Sequence, residues 1–147
     1  MTVAQIEAAV PDDWPDVAAM LDEAGLPVAD LGRNRMPDFL VARRRTRLLG
    51  AVGLEHFGEH GLLRSLVIAI GQRGSGVGEA LLRRLEEDAA ARGITELWLL
   101  TIDADGYFAR HGYRIRDRQL APDAIRRTPE FSELWPGSAI LMSRRLD

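Results

Sequence analysis

The residues best placed to do chemistry are Arg73-Gly74-Ser75-Gly76-Val77-Gly78. They stand between an apolar run, residues 66–70, and a segment of helical spacing that begins near Glu79. A strand, a glycine-rich turn and a helix start, in that order, make an anion site. The glycines let backbone N–H groups converge, and the helix dipole adds positive potential there. Arg73 sets a permanent cation on the rim. Such a site suits a phosphate or pyrophosphate. A P-loop needs a Lys after its last Gly, where Glu79 stands, and all 19 basic residues are Arg. The same lack of Lys excludes a pyridoxal Schiff base. A dinucleotide fingerprint spaces its glycines G-x-G-x-x-G after the first strand of a βαβ unit, whereas Gly74, Gly76 and Gly78 alternate. What remains is R-x-x-G-x-G, a pattern also met as an ordinary turn before a helix.

Arg64 is the next residue of interest. It lies mid-strand in an apolar run, where a charge is costly unless paired. Two readings stay open: a structural ion pair with Glu55 or another acid, or a fork for a substrate carboxylate. The three histidines lack metal-ligand spacing, so no metal is expected. His56 would face away from Glu55 on a continuing strand, His60 falls in a turn, and His111 precedes Gly112-Tyr113. All three read as surface residues.

The elements that must position these groups follow from periodicity. Residues 2–8 alternate weakly as a first strand. Asp12 or Asp13 can cap a helix with Pro15 in its first turn, and Trp14, Val17, Leu21 and Ala24 follow at helical spacing to Gly25. Residues 26–37 read as loop or short helix. Residues 39–42 and 48–54 read as strands paired around a polar turn, with Arg43 to Arg47 a solvated charge run. Residues 62–70 form the next strand. After the glycine loop comes a helix with Val77, Leu81, Leu85 and Ala89 on one face, ending at Gly93. Its Glu79/Arg83, Arg83/Glu87 and Arg84/Asp88 pairs mark the solvated side. A strand over 97–101, a short helix over 104–111 and a strand over 113–118 come next. Residues 119–139, with Pro122, Pro129 and Pro136, hold one helical turn near Ala124, and 140–146 close as a strand.

Composition bounds the function. At 147 residues, 46% hydrophobic and 28% charged, the chain suits one ordinary domain with a sizeable core. A net charge of −3 argues against nucleic acid as a partner. With no Cys there is no disulfide, thiolate metal site or Cys nucleophile. No leader pattern or membrane-length apolar run stands out, which predicts a cytoplasmic protein.

The element order β-α-(short α)-β-β-β-α-β-α-β-β, with R-x-x-G-x-G at the fourth strand-to-helix junction, resembles the GCN5-related N-acetyltransferases (GNAT) across nearly the whole chain. Gly53-Leu54-Glu55, Leu63-Arg64-Ser65-Leu66, the run from Ile125 to Phe131 and the run from Leu134 to Met142 narrow the likeness. They resemble the short acetyltransferases of bacterial arsenic-resistance operons and the short N-acetylglutamate synthases. Trp135 departs from that pattern, which usually has Cys there.

The resemblance implies a single GNAT domain over 1–147, an α/β fold with a mixed central sheet, splayed parallel strands and flanking helices. It implies acetyl-CoA as co-substrate, bound by the loop from Arg73 to Gly78 and by the backbone of Val67, Ile68, Ala69 and Ile70 as an added strand edge. The reaction implied is direct transfer of acetyl to a small, amino-acid-like amine, with a link to arsenic resistance among the associations. Glu55, at a strand end beside Gly53, is the candidate base, and a carboxylate so placed is otherwise simply solvated. Arg64, with Ser65 and Arg33, makes up the acceptor set. Many relatives place a Tyr general acid four residues before the Gly matching Gly112, and Phe108 occupies that slot. Tyr107 is its neighbour, about 100° away on a helix, and stands either as a stand-in acid or as core or rim. The missing Tyr leaves a second reading, an acyl-CoA-binding or sensor domain without turnover. A homodimer is left open.

Overall fold

The computed structural model describes residues 4–146. Seven strands make one mixed sheet in the order β1-β2-β3-β4-β5-β7-β6. They are β1 (Gln5–Ala8), β2 (Phe39–Arg44), β3 (Arg47–Phe57), β4 (His60–Ile68), β5 (Glu96–Thr101), β6 (Arg114–Arg116) and β7 (Ile140–Arg145). The helices are α1 (Trp14–Glu23), α2 (Val77–Ala91), α3 (Asp105–Arg110) and α4 (Asp123–Arg126). The contacts divide the chain into two compact units, one running through Leu54 with Ser65–Asp88, the other holding Glu55–Arg64 and the chain from Ala89 onward.

In the first unit β1 pairs antiparallel with β2, and β2 with β3 around a turn where Arg45 takes φ 58°. The Thr2 and Val3 part of the expected first strand lies outside the described residues. Phe39 sits directly opposite Gly53, and a Cβ on Gly53 would lie 2.7 Å from the ring, so only glycine admits this aromatic. A 3₁₀ turn over Pro11–Asp13 leads into α1, and the Val10 N–H donates to Asp13 Oδ2 at 2.9 Å. Val17 and Leu21 bury completely, and α1 ends where Gly25 turns to φ +73° and Leu26 N–H donates to Leu21 O at 3.0 Å. Val17, Leu21, Met36, Phe39 and Val41 form the core of this unit. Residues Arg33–Asp38 take up a 3₁₀ helix, the short helix allowed by the sequence.

Two expectations are corrected here. The strand expected to reach residue 70 ends at Ile68: Ala69 N–H still donates to Leu49 O at 2.8 Å, but Ala69 O accepts from Gln72 N–H and starts a turn. Ile70 is 70% exposed. Arg43 is no solvated turn residue either. It continues the buried face of Phe39 and Val41 along β2, the register shift beside it falling at Leu49 of β3, and its guanidinium bonds Asp13 and Glu7.

In the second unit β5 pairs antiparallel with β7, and β7 with β6. The start of β4 pairs parallel with β5 through His60↔Glu96, Gly61↔Leu97 and Leu62↔Trp98. His60 is thus a strand residue rather than a turn residue, with Nε2 3.9 Å from Glu96. Leu62, Trp98, Leu100, Ile125 and Leu141 form the core. β6 is shorter than expected because Tyr113 N–H closes the end of α3 on Phe108 O, while Asp117 accepts from Gln119 N–H to start a 3₁₀ turn. The proline-punctuated stretch holds more order than periodicity suggested: α4, then a π-helical turn over Glu130–Leu134. Among the described residues no helix is long and apolar enough to cross a membrane.

Candidate active site

The glycine loop has the geometry an anion cradle needs. Gly74 and Gly76 take φ +79° and +88°, a region L-residues rarely adopt, and a Cβ on either would meet nothing within 4 Å. The glycines are there for backbone direction, and the space beside them is open. α2 starts at Val77 and runs 15 residues, so its macrodipole is well developed. Ala80 N–H is the first to bond back, to Gly76 O at 3.0 Å, which leaves the N–H groups of Val77, Gly78 and Glu79 without intrahelical acceptors. Ser75 is turned inward on the loop: its hydroxyl and its N–H both donate to Gln72 O. Val67, Ile68, Ala69, Ile70 and Arg73 line one cavity of about 500 Å³, walled on another side by α1. The sequence singled out these five, and the structure brings them together. The residues present therefore fit a phosphate-bearing group with an extended arm.

The second unit carries the acid–base residues. Glu55, on β3, is nearly buried, its side chain 11% exposed. Arg64, on β4, is 1% exposed and places Nη1 3.0 Å from Glu55 Oε2. Its Nε lies 3.6 Å from Glu130 Oε1, and Glu130 is 2% exposed. Of the two readings of Arg64, the ion pair with Glu55 is the one the geometry presents. An acceptor carboxylate would have to compete with two resident ones. Glu130 escaped the sequence reading altogether. It stands among Arg126, Arg127, Thr128, Ser132 and Glu133, a polar setting that gives no sign of burial.

Three further candidates each have their own surroundings. Ser65 is buried at φ +61°, a strained value for a non-glycine residue in a strand. Arg33 is more than half exposed and bonds Pro11 O at 3.3 Å and Asp12 Oδ1 at 3.4 Å. Tyr107 packs its ring on Phe108 and on His111, with centroids 5.3 and 4.7 Å apart, while Phe108 itself is core. Trp98 and Trp135, where the arsenic-operon pattern has Cys, carry buried indole N–H groups with no acceptor among the described residues. No cluster of metal-ligating side chains occurs among the described residues.

Comparison with known proteins meets this geometry. The chain is 28% identical over 89 residues to an uncharacterized N-acetyltransferase of Chlorobaculum tepidum, covering 60% of this chain and 57% of that protein. An N-acetylglutamate synthase from Neisseria gonorrhoeae, solved with coenzyme A and N-acetyl-glutamate, superposes with a TM-score of 0.87 at 22% identity, over 100% of this chain and 36% of that one. Rv2747 from Mycobacterium tuberculosis, solved with CoA and NLQ, gives 0.83 at 19% identity, over 97% and 99% of the two chains. At these identities the two structures establish the fold. The chain thus spans little more than half of its curated relative and about a third of the gonococcal synthase. The sequence profile of the acetyltransferase (GNAT) family matches residues 5–115, and with that fold and that loop beneath it the chain belongs to this family.

Proposed function

We propose that residues 1–147 act as a single acetyltransferase domain, moving an acetyl group from acetyl-CoA to the amine of a small, amino-acid-like acceptor. The observation that carries this is the loop at α2: two glycines in the left-handed region, three helix N–H groups without intrahelical acceptors, and Arg73 at the rim of the cavity. Those N–H groups and Arg73 would hold the pyrophosphate, and the backbone edge at Val67 and Ile68 would take the arm, since Ala69 already bonds Leu49 and Gln72. Acetyl-CoA supplies the activated acyl group. The chain's own task is then to bind, orient and move a proton. Glu55 takes the proton from the amine nitrogen as its lone pair forms the new C–N bond and the C–S bond breaks. Arg64 holds the Glu55 carboxylate in place. We assign it this role ahead of the acceptor's carboxylate, because its Nη1 and Nε already face acids. With Phe108 in the core, the thiolate leaves without a Tyr general acid in that slot and takes its proton from solvent. The amino-acid-like acceptor rests on the likeness of the segments around Glu55, Arg64 and 125–142, and on relatives solved with N-acetyl-glutamate and NLQ. A role in arsenic resistance rests on those segments alone.

Calorimetry with acetyl-CoA tests the reading, followed by an amine screen scored by free thiol. Gly76→Ala and Gly76→Glu both carry the backbone strain of φ +88°, about 1–3 kcal/mol, but only the second adds an anion at the cradle. We expect binding to weaken in the first and vanish in the second while both stay folded. Equal affinity in wild type and Gly76→Glu would sink the assignment. The buried Phe108 favours one other reading, binding without turnover, which the screen separates: saturable acetyl-CoA binding with no thiol released from any amine.

A further inference from the structure

Glu130 is a buried carboxylate for which the proton transfer proposed above has no use. Glu55 alone would balance Arg64, yet a second acid sits 3.6 Å from its Nε, 2% exposed. A buried carboxylate is costly to keep, so its place calls for a reason. The segment that bears it is firmly tied. Thr128 Oγ1 donates to Ile125 O at 2.7 Å and accepts from Phe131 N–H at 3.3 Å, and Ser132 Oγ donates to Thr128 O at 2.9 Å. Trp135 N–H closes the π-helical turn on Glu130 O at 3.1 Å. Arg118 stacks over the Phe131 ring at 4.5 Å and donates to Ala139 O at 3.1 Å. Such turns recur at functional sites.

We propose that Glu130 is a positioning residue: by holding the Nε edge of the Arg64 guanidinium it fixes the Nη1 edge against Glu55, and so sets the direction in which Glu55 meets the amine. A planar guanidinium gripped along one edge only can swing about its long stem, whereas one gripped along two cannot. The inference rests on the assignment of Glu55 as proton acceptor.

The test is a cycle of wild type, Glu130→Gln, Glu55→Gln and the double variant. It reads acetyl-CoA-dependent thiol release, calorimetric affinity for acetyl-CoA and the ¹H–¹⁵N signal of Arg64 Nε. Glu130→Gln should lower kcat about tenfold, leave acetyl-CoA affinity within about twofold, and move the Arg64 signal. The double variant should be no slower than Glu55→Gln, since Glu130 acts only through that carboxylate. Unchanged kcat in Glu130→Gln, or losses that multiply in the double variant, would overturn the proposal. If Glu130→Gln does not fold, Glu130→Asp keeps the charge and withdraws it by one methylene. A moved Arg64 signal with a smaller kcat loss then supports the proposal, and neither change overturns it. Failure of the parent reading shows separately, as a wild-type chain that acetylates no amine. In that protein the Arg64 signal alone decides whether Glu130 holds the guanidinium.

Discussion

Among the described residues Arg43 and Arg64 each stand between two carboxylates, and the two clusters differ in how much water reaches them. Arg43 bonds Asp13 and, at 3.0 Å, Glu7, with side-chain exposures of 20%, 11% and 52%. Arg64 faces Glu55 and Glu130 with exposures of 1%, 11% and 2%. At the first, burial works against the Arg43 charge, but the hydrogen bonds and charges of Asp13 and Glu7 outweigh it and raise its pKa above the ordinary arginine value. Water can replace a lost partner there. At the second it cannot, so each member depends on the others being present. A half-buried cluster acts as a clip between β1, β2 and the turn before α1. A buried one is worth its desolvation only where a fixed geometry is needed, and that is where the proton acceptor stands.

The contrast can be broken most directly at the buried cation. Arg64→Met keeps much of the stem and strands two carboxylates, so unfolding free energy should fall by about 3–5 kcal/mol in denaturant titrations. A loss of about 1–2 kcal/mol or less would show the cluster to be as forgiving as the half-buried one and return Arg64 to the acceptor's carboxylate. Glu55→Gln should cut kcat by about 10²-fold with acetyl-CoA affinity intact. Wild-type kcat/KM in that variant across about pH 6 to 9 would leave the buried cluster a purely structural one. Arg43→Met should cost less, about 1–2 kcal/mol, because Glu7 can turn to solvent and only Asp13 is left without its cation. The sign of its pH dependence is fixed. A cation whose folded pKa is raised contributes fully below its unfolded value and loses that contribution only as pH rises through the folded one. Arg43's share of stability should therefore stay flat through neutral and moderately alkaline solution, and decline only in strongly alkaline solution, past the ordinary arginine value. The smallest effect is salt: at about 1 M the cost of Arg43→Met should shrink by a few tenths of a kcal/mol, while that of Arg64→Met holds. Equal shrinkage at both would erase the distinction.

Where local chemistry decides the conformation, the sequence was legible. α2, its apolar face and the turn before it follow from spacing and glycines, and the Glu79–Arg83 and Arg84–Asp88 pairs form, at 3.9 and 3.2 Å. The Arg64–Glu55 pair could be weighed because a charge in an apolar strand demands a partner, and the neighbouring strand offered one. Glu130 lay beyond reach: it meets Arg64 from 66 positions away, on a five-residue π-helical turn with no period to read. Arg43 misled for a different reason. In a run of four arginines composition says solvent, whereas alternation along β2 puts Arg43 on the face of Phe39 and Val41, where it meets Asp13. The strand end at Ile68 was hidden by Ala69 and Ile70, apolar residues that continue the pattern after the pairing has stopped.

Phe39 seated on the bare backbone of Gly53 works as a key for strand alignment during folding. Slide β2 by one residue against β3 and the ring comes opposite Val52 or Leu54, each of which carries a side chain where Gly53 carries none. Such a slip also turns every β2 side chain to the wrong face. Misaligned hairpins should therefore be short-lived, and the two residues together select one pairing before any distant contact has formed.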